Sequence, residues 1–127
     1  MTDWPGAISA ITIFADDLAE SRAFFVDVFG LPVYYEDADS VVFNFGNTLI
    51  NVLRTTEAIE LIAPAEVGGP DAAARVQFTI GVDVVDATAA ELVRRGAALL
   101  NGPMDRPWGI RTAAFRDPAG HIWEIAH

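Results

Sequence analysis

Few side chains in this 127-residue sequence can do covalent or metal chemistry. There is no cysteine, which removes disulfides, thiolate nucleophiles and cysteine-based zinc sites. There is no lysine either: all eight basic residues are arginine, so a Schiff base on a lysine amine is excluded. The two histidines are His121 and the terminal His127. His121 could act as a lone acid or base, but without a cysteine near it or a serine in the motif that carries it no nucleophilic triad can be assembled. Binding chemistry is better represented. Trp108 lies in the run Arg106-Pro107-Trp108-Gly109-Ile110-Arg111, where a loop ring can stack on a planar ligand, pack over a sheet end or meet a second subunit. Arg111 and Arg54 could grip an anionic ligand or pair with the many surface carboxylates.

The elements that must position these groups repeat once. Residues 7–14 alternate apolar and polar with β-branched side chains and predict a strand. Asp17 stands at an N-cap position, with Glu20 three residues on, and Leu18, Phe25, Val28 and Phe29 fall on one helical face before Gly30 and Pro32 end it. Short β-prone runs follow at 33–35, 41–45 and 48–53, the last two joined across Gly46-Asn47. Residues 55–74, rich in Ala, Pro, Glu and Gly, read as a linker. Then the pattern restarts: a strand over 76–82, a helix capped by Asp86 and stopped by Gly96, and β-rich runs at 98–100, 111–115 and 121–126. A shift of 67 positions lays Ile11 on Phe78, Ile13 on Ile80 and Asp16 on Asp83. The chain is therefore expected to be α+β: two tandem βαβββ modules, about 7–54 and 75–127, in a single domain, forming a curved mixed sheet around a groove.

Composition sets the context. Hydrophobic residues make up 52% of the sequence, enough for a compact core. The 18 acidic and 8 basic residues give a net charge of −10, which repels nucleic-acid backbones and anionic membranes; neither is expected as a partner. The charge is uneven, with ten acids against two arginines in residues 1–62 and eight against six in 63–127. No apolar run approaches the ~20 residues of a membrane helix, and Met1-Thr2-Asp3-Trp4-Pro5 lacks the marks of an export signal, so the expected location is cytoplasmic.

Two motifs carry a family resemblance that spans almost the whole chain. Ala15-Asp16-Asp17-Leu18-Ala19-Glu20-Ser21-Arg22-Ala23-Phe24-Phe25 with Phe29-Gly30-Leu31 opens the first module. Phe115-Arg116-Asp117-Pro118-Ala119-Gly120-His121-Ile122-Trp123-Glu124-Ile125 closes the second. Together they resemble the vicinal oxygen chelate superfamily of glyoxalases, bleomycin-resistance proteins, fosfomycin-resistance enzymes and extradiol dioxygenases. On its own chemistry Asp117-Pro118-Ala119-Gly120 is a turn between two strands.

In metal-dependent members four ligands project into the groove from the first and last strands of each module. Carried over, those positions resemble Ala10, Asn51, Gln77 and Glu124. Ala10 has no donor atom, and Asn51 and Gln77 offer neutral amides, which hold transition metals poorly. Only Glu124 keeps ligand chemistry of the family, so neither a metal nor another cofactor is expected. The resemblance then implies a ligand-binding groove in which Gln77 and Glu124 stand with Thr12, Asn51 and Thr79 among apolar walls, Trp108 and Arg111 nearby. Asn51 and Gln77 could equally bond each other or water. The reading favoured by these residues is a metal-independent protein that sequesters an apolar, aromatic or cationic small molecule, with no catalytic residue assigned. The alternative is a lyase, isomerase or dioxygenase of the superfamily with an atypical metal site, or a metal-free acid–base catalyst. Family behaviour implies a homodimer.

Overall fold

The structure is a computed structural model that describes residues 5–127; residues 1–4, which carry most of the segment read as no export signal, lie outside the described residues. Strand β1 (Ala10–Ala15) leads into helix α1 (Leu18–Asp27), followed by β2 (Tyr35–Glu36), β3 (Ser40–Asn44) and β4 (Leu49–Arg54). After α2 (Thr55–Ile62) the second module runs β5 (Gln77–Gly81), α3 (Val85–Arg94), β6 (Leu99–Asp105), β7 (Arg111–Arg116) and β8 (Ile122–Ala126). Both modules are βαβββ, as the repeat predicts. Among the described residues no helix is long and apolar enough to cross a membrane.

Local chemistry explains most boundaries. The Asp17 carboxylate accepts the Glu20 N–H at 3.0 Å and caps α1, and Gly30 leaves the helix with a φ of 69°. Four expectations need correction. The linker begins with a helix, because residues 55–62 coil directly from the end of β4; only Ala58 is buried, and exposed Ile59 and Leu61 obscure any apolar face in the sequence. Helix α3 starts at Val85, with Val84 and not Asp86 at its N-cap: Val85, Ala89 and Leu92 bury one stripe, and that register fixes the start. Strand β2 is only two residues long. Strand β6 runs to Asp105 through a bulge at Asn101–Met104, where Gly102 has a φ of 82° and a Cβ would lie 2.5 Å from the Thr112 carbonyl oxygen.

The strands form two separate four-stranded sheets. Sheet 1 has the order β1-β4-β3-β2 and sheet 2 the order β5-β8-β7-β6, with β1 parallel to β4 and β5 parallel to β8. Ile13, Val41, Phe43 and Val52 of sheet 1 share one core with Ala113, Phe115, Trp123 and Ile125 of sheet 2, and with Phe25, Ala89 and Leu92 of the helices. Phe45 stacks on Trp123 at 5.6 Å, and Phe29 meets both Phe115 and Trp123. Within one chain the sheets are therefore joined through their hydrophobic faces and not edge to edge. Each sheet has a second, outer face, and the two outer faces point away from one another.

Trp123 is tied down by Asp117, whose side chain is 1% exposed. One carboxylate oxygen accepts the Trp123 indole N–H at 3.0 Å, and the other accepts the N–H groups of Ala119 and His121, each at 3.0 Å. His121 Nδ1 lies 3.1 Å from both oxygens. The turn motif thus anchors the aromatic core. Asp117→Ala strands a buried indole N–H and two turn amides, and is expected to cost about 3 kcal/mol or more in urea unfolding, with loss of near-ultraviolet ellipticity from Trp123.

Acid should weaken the fold from the surface inward. The Arg22 guanidinium holds the Glu36 carboxyl below its ordinary 4.5, Arg94 and Arg95 do the same for Glu91, and the Asp39 amide with the Ser40 hydroxyl lowers Asp37 from 3.8. Carboxyls lower in the folded state contribute their full stabilisation above their unfolded values and lose it as pH falls through the folded ones. Urea midpoints should therefore stay flat between about pH 6 and 8 and decline below about pH 4.5.

Candidate functional site

Five polar residues singled out in the sequence, Thr12, Asn51, Gln77, Thr79 and Glu124, sit on the outer faces, because each alternates with a core residue. On sheet 1, Thr12 and Asn51 are register partners on β1 and β4, and the Asn51 amide nitrogen donates to Thr12 Oγ1 at 3.3 Å. The Asn51 carbonyl oxygen is buried and has no partner. A buried acceptor left without a donor carries its desolvation cost uncompensated. On sheet 2, Thr79 pairs in register with Glu124, and its hydroxyl donates to Glu124 Oε1 at 3.0 Å; Gln77 lies two residues along β5 on the same face. The structure thus brings these five residues together as two rows and not as one. Asn51 and Gln77 do not meet, because the shared core separates their sheets.

Trp108 occupies the tip of the β6–β7 hairpin and is 69% exposed. The turn is closed by the Arg106 amide on the Ile110 carbonyl at 2.7 Å and by the Gly109 amide on the Arg106 carbonyl at 3.0 Å. Arg111 takes the pairing alternative: its guanidinium meets Asp86 at 3.0 Å and Asp105 at 3.1 Å, and these hydrogen bonds raise its pKa. It also alternates with Thr112, so it leaves the sheet on the face opposite to Glu124. Arg54 likewise pairs, with Asp39 at 3.5 Å.

The residue missed is Arg106. Its Nε–H donates to Thr112 Oγ1 at 2.9 Å, and its guanidinium carbon lies 6.0 Å from the centre of the Trp108 ring. Thr112 pairs with Ala126, and the next outer-face pair along the same strands is Ala114 with Glu124, so Arg106 and Glu124 belong to one face. The bulge in β6 breaks the alternation that would have placed Arg106 from sequence.

The family's metal positions do not fit a transition metal here. Ala10 and Asn51 stand on sheet 1, Gln77 and Glu124 on sheet 2, and the four offer one carboxylate and two amides. Among the described residues no three histidine, aspartate or glutamate side chains converge on a common point. His121 is half-buried and held by Asp117, and it lines a cavity of about 140 Å³ with Phe14, Thr55, Pro70 and Arg75.

Residues 7–125 match the model of the Glyoxalase/Bleomycin resistance protein/Dioxygenase superfamily. No curated protein matches the sequence. Among solved structures, a glyoxalase-related enzyme from Fulvimarina pelagi is 23% identical, covering 95% of this chain and 87% of its own, with a TM-score of 0.84. Lactoylglutathione lyase from Agrobacterium tumefaciens is 25% identical over 96% of this chain and 93% of its own, at a TM-score of 0.75. TioX from Micromonospora sp. ML1 is 24% identical over 96% and 98%, at 0.73. With the repeated βαβββ modules and a family match that covers nearly every described residue, the chain belongs to the glyoxalase/bleomycin resistance protein/dioxygenase superfamily.

Proposed function

We propose that the protein is a metal-independent small-molecule binder of the bleomycin-resistance type, which sequesters an apolar, aromatic or cationic ligand against its outer faces. The observation that carries this reading is the donor set: Ala10, Asn51 and Gln77 stand at positions that resemble the metal ligands of metal-dependent members, while Glu124, supported by Thr79, keeps a carboxylate for a cation. The net charge of −10 favours the approach of a positively charged molecule.

The same reading calls for a homodimer. A half-site on each outer face is shallow by itself, and the sheets end in β1 and β5, each of which has a strand neighbour on one side only. In a two-fold pair, sheet 1 of one copy and sheet 2 of the other face a common groove. That groove would unite the row of Thr12 and Asn51 with the row of Gln77, Thr79 and Glu124. A second reading, a metal-free acid–base enzyme, has one observation in its favour: the Asp117 carboxylate fixes His121 Nδ1 beside a cavity, which orients the ring for proton transfer at its other nitrogen.

Titration with bleomycin, followed by tryptophan fluorescence and calorimetry, should show saturable binding. Glu124→Gln is expected to weaken it about tenfold by removing a charge-assisted contact. A variant that binds as tightly as the parent removes Glu124 from the site. Sedimentation velocity at micromolar concentration should give a dimer of roughly twice the 13.7 kDa chain; a monomer that still binds ligand overturns the shared groove.

A further inference from the structure

The outer face of sheet 2 contains a cation that no carboxylate among the described residues pairs with. The sequence has 18 acids for 8 arginines, and among the described residues five of the eight guanidiniums are paired with a carboxylate. Arg22, Arg54, Arg94, Arg95 and Arg111 each pair with at least one. Arg106 does not, among the described residues. Unlike Arg75 and Arg116, which are exposed and also lack a carboxylate partner, Arg106 is half-buried and held in place. Its holders are neutral: the Thr112 hydroxyl at 2.9 Å and, at the outer limit of a hydrogen bond, the Asn101 side-chain oxygen at 3.5 Å. Neutral acceptors orient a guanidinium without cancelling its charge.

The surroundings select what can answer that charge. The Arg106–Ile110 turn is closed by two backbone hydrogen bonds, and Gly109 supplies the positive φ of 97° that it needs, so Arg106 and Trp108 are displayed on a fixed support. The Trp108 ring is 69% exposed, with the Arg106 guanidinium over it at 6.0 Å from its centre. A rigid aromatic surface next to an oriented cation suits a flat ring that carries a carboxylate, sulfonate or phosphate: the ring gains contact area and the anion gains a charge-assisted bond with little side-chain ordering left to do.

We infer that the ligand of this face is a planar aromatic molecule bearing an anionic group, with the anion received by Arg106 and the ring by Trp108. The inference deepens the small-molecule reading above and rests on it. Glu124 on the same face leaves room in the scheme for an amino group on the same ligand, so a zwitterionic aromatic fits as well as a simple acid.

One indole scaffold in four charge states tests this by calorimetry in low salt: indole-3-acetate, indole-3-acetamide, tryptamine and tryptophan. The acetate is expected to bind about tenfold or more tightly than the amide, and the gap should narrow as sodium chloride is raised. Arg106→Gln should bring the acetate down towards the amide, costing the amide far less because only a bond to a neutral acceptor is lost there; Arg106→Lys should keep part of the gap; Trp108→Ala should weaken both. Unfolding curves for each variant separate lost binding from lost folding, and the amide serves as an internal control on the face itself. Equal binding of acetate and amide, or tighter binding of tryptamine than of the acetate, overturns the inference and leaves the small-molecule reading standing. Silence from all four compounds also overturns the inference, and the bleomycin titration then decides the small-molecule reading by itself.

Discussion

Both sheets bury their apolar faces in the same core, and nearly everything about the candidate sites follows from that constraint. A strand shows one side to the core and the other to whatever lies outside, so when two sheets close on each other their functional sides must diverge. Phe45 on Trp123, Phe29 on Phe115 and Phe25 against Phe43 lock this arrangement, with the helices contributing to the same core. Thr12 and Asn51 consequently look one way, and Thr79 and Glu124 the other. The two rows of one copy therefore do not line a common groove.

The donor atoms at the ligand-like positions are not those of a transition-metal centre. A transition metal needs several anionic or imidazole donors at one point, and the four positions that resemble the family's ligand set supply a methyl group, two amides and one carboxylate. The buried Asp117 carboxylate is consumed by structure: four donors surround it, one of them the indole of the residue at the centre of the aromatic core. The outer face of sheet 2 carries the Glu124 carboxylate and the Arg106 guanidinium, with the exposed Trp108 indole at the adjoining hairpin tip.

Much of this was legible in the sequence, for identifiable reasons. The βαβββ repeat could be read because burial imposes period two on the strands and a single stripe on each helix; Ile13 and Ile80 fall into the core at the spacing the 67-residue shift requires. The Asp17 cap could be read because its partner is local. Helix α2 could not, since Ala58 alone is buried and the exposed Ile59 and Leu61 erase the pattern. The site was half legible. Strand alternation puts Asn51, Gln77, Thr79 and Glu124 on outward faces, but the division into two rows depends on how the sheets pack, which no local spacing encodes. Arg111 looked available because its partners, Asp86 and Asp105, are brought to it by the fold, and Arg106 went unseen because a bulge reset the alternation just before it.

The contact between Gly120 and the linker ties together parts of the chain that look independent. At Gly120, a Cβ would fall 2.4 Å from the Pro70 carbonyl oxygen, and the residue closes the turn that begins at Asp117. The connector between the two halves is thereby seated against the hinge that secures the indole at the heart of the molecule. Any lengthening, cutting or re-threading of that connector acts on the keystone as well as on the loop, so a variant with exchanged or permuted halves inherits a weakened centre unless this seat is rebuilt.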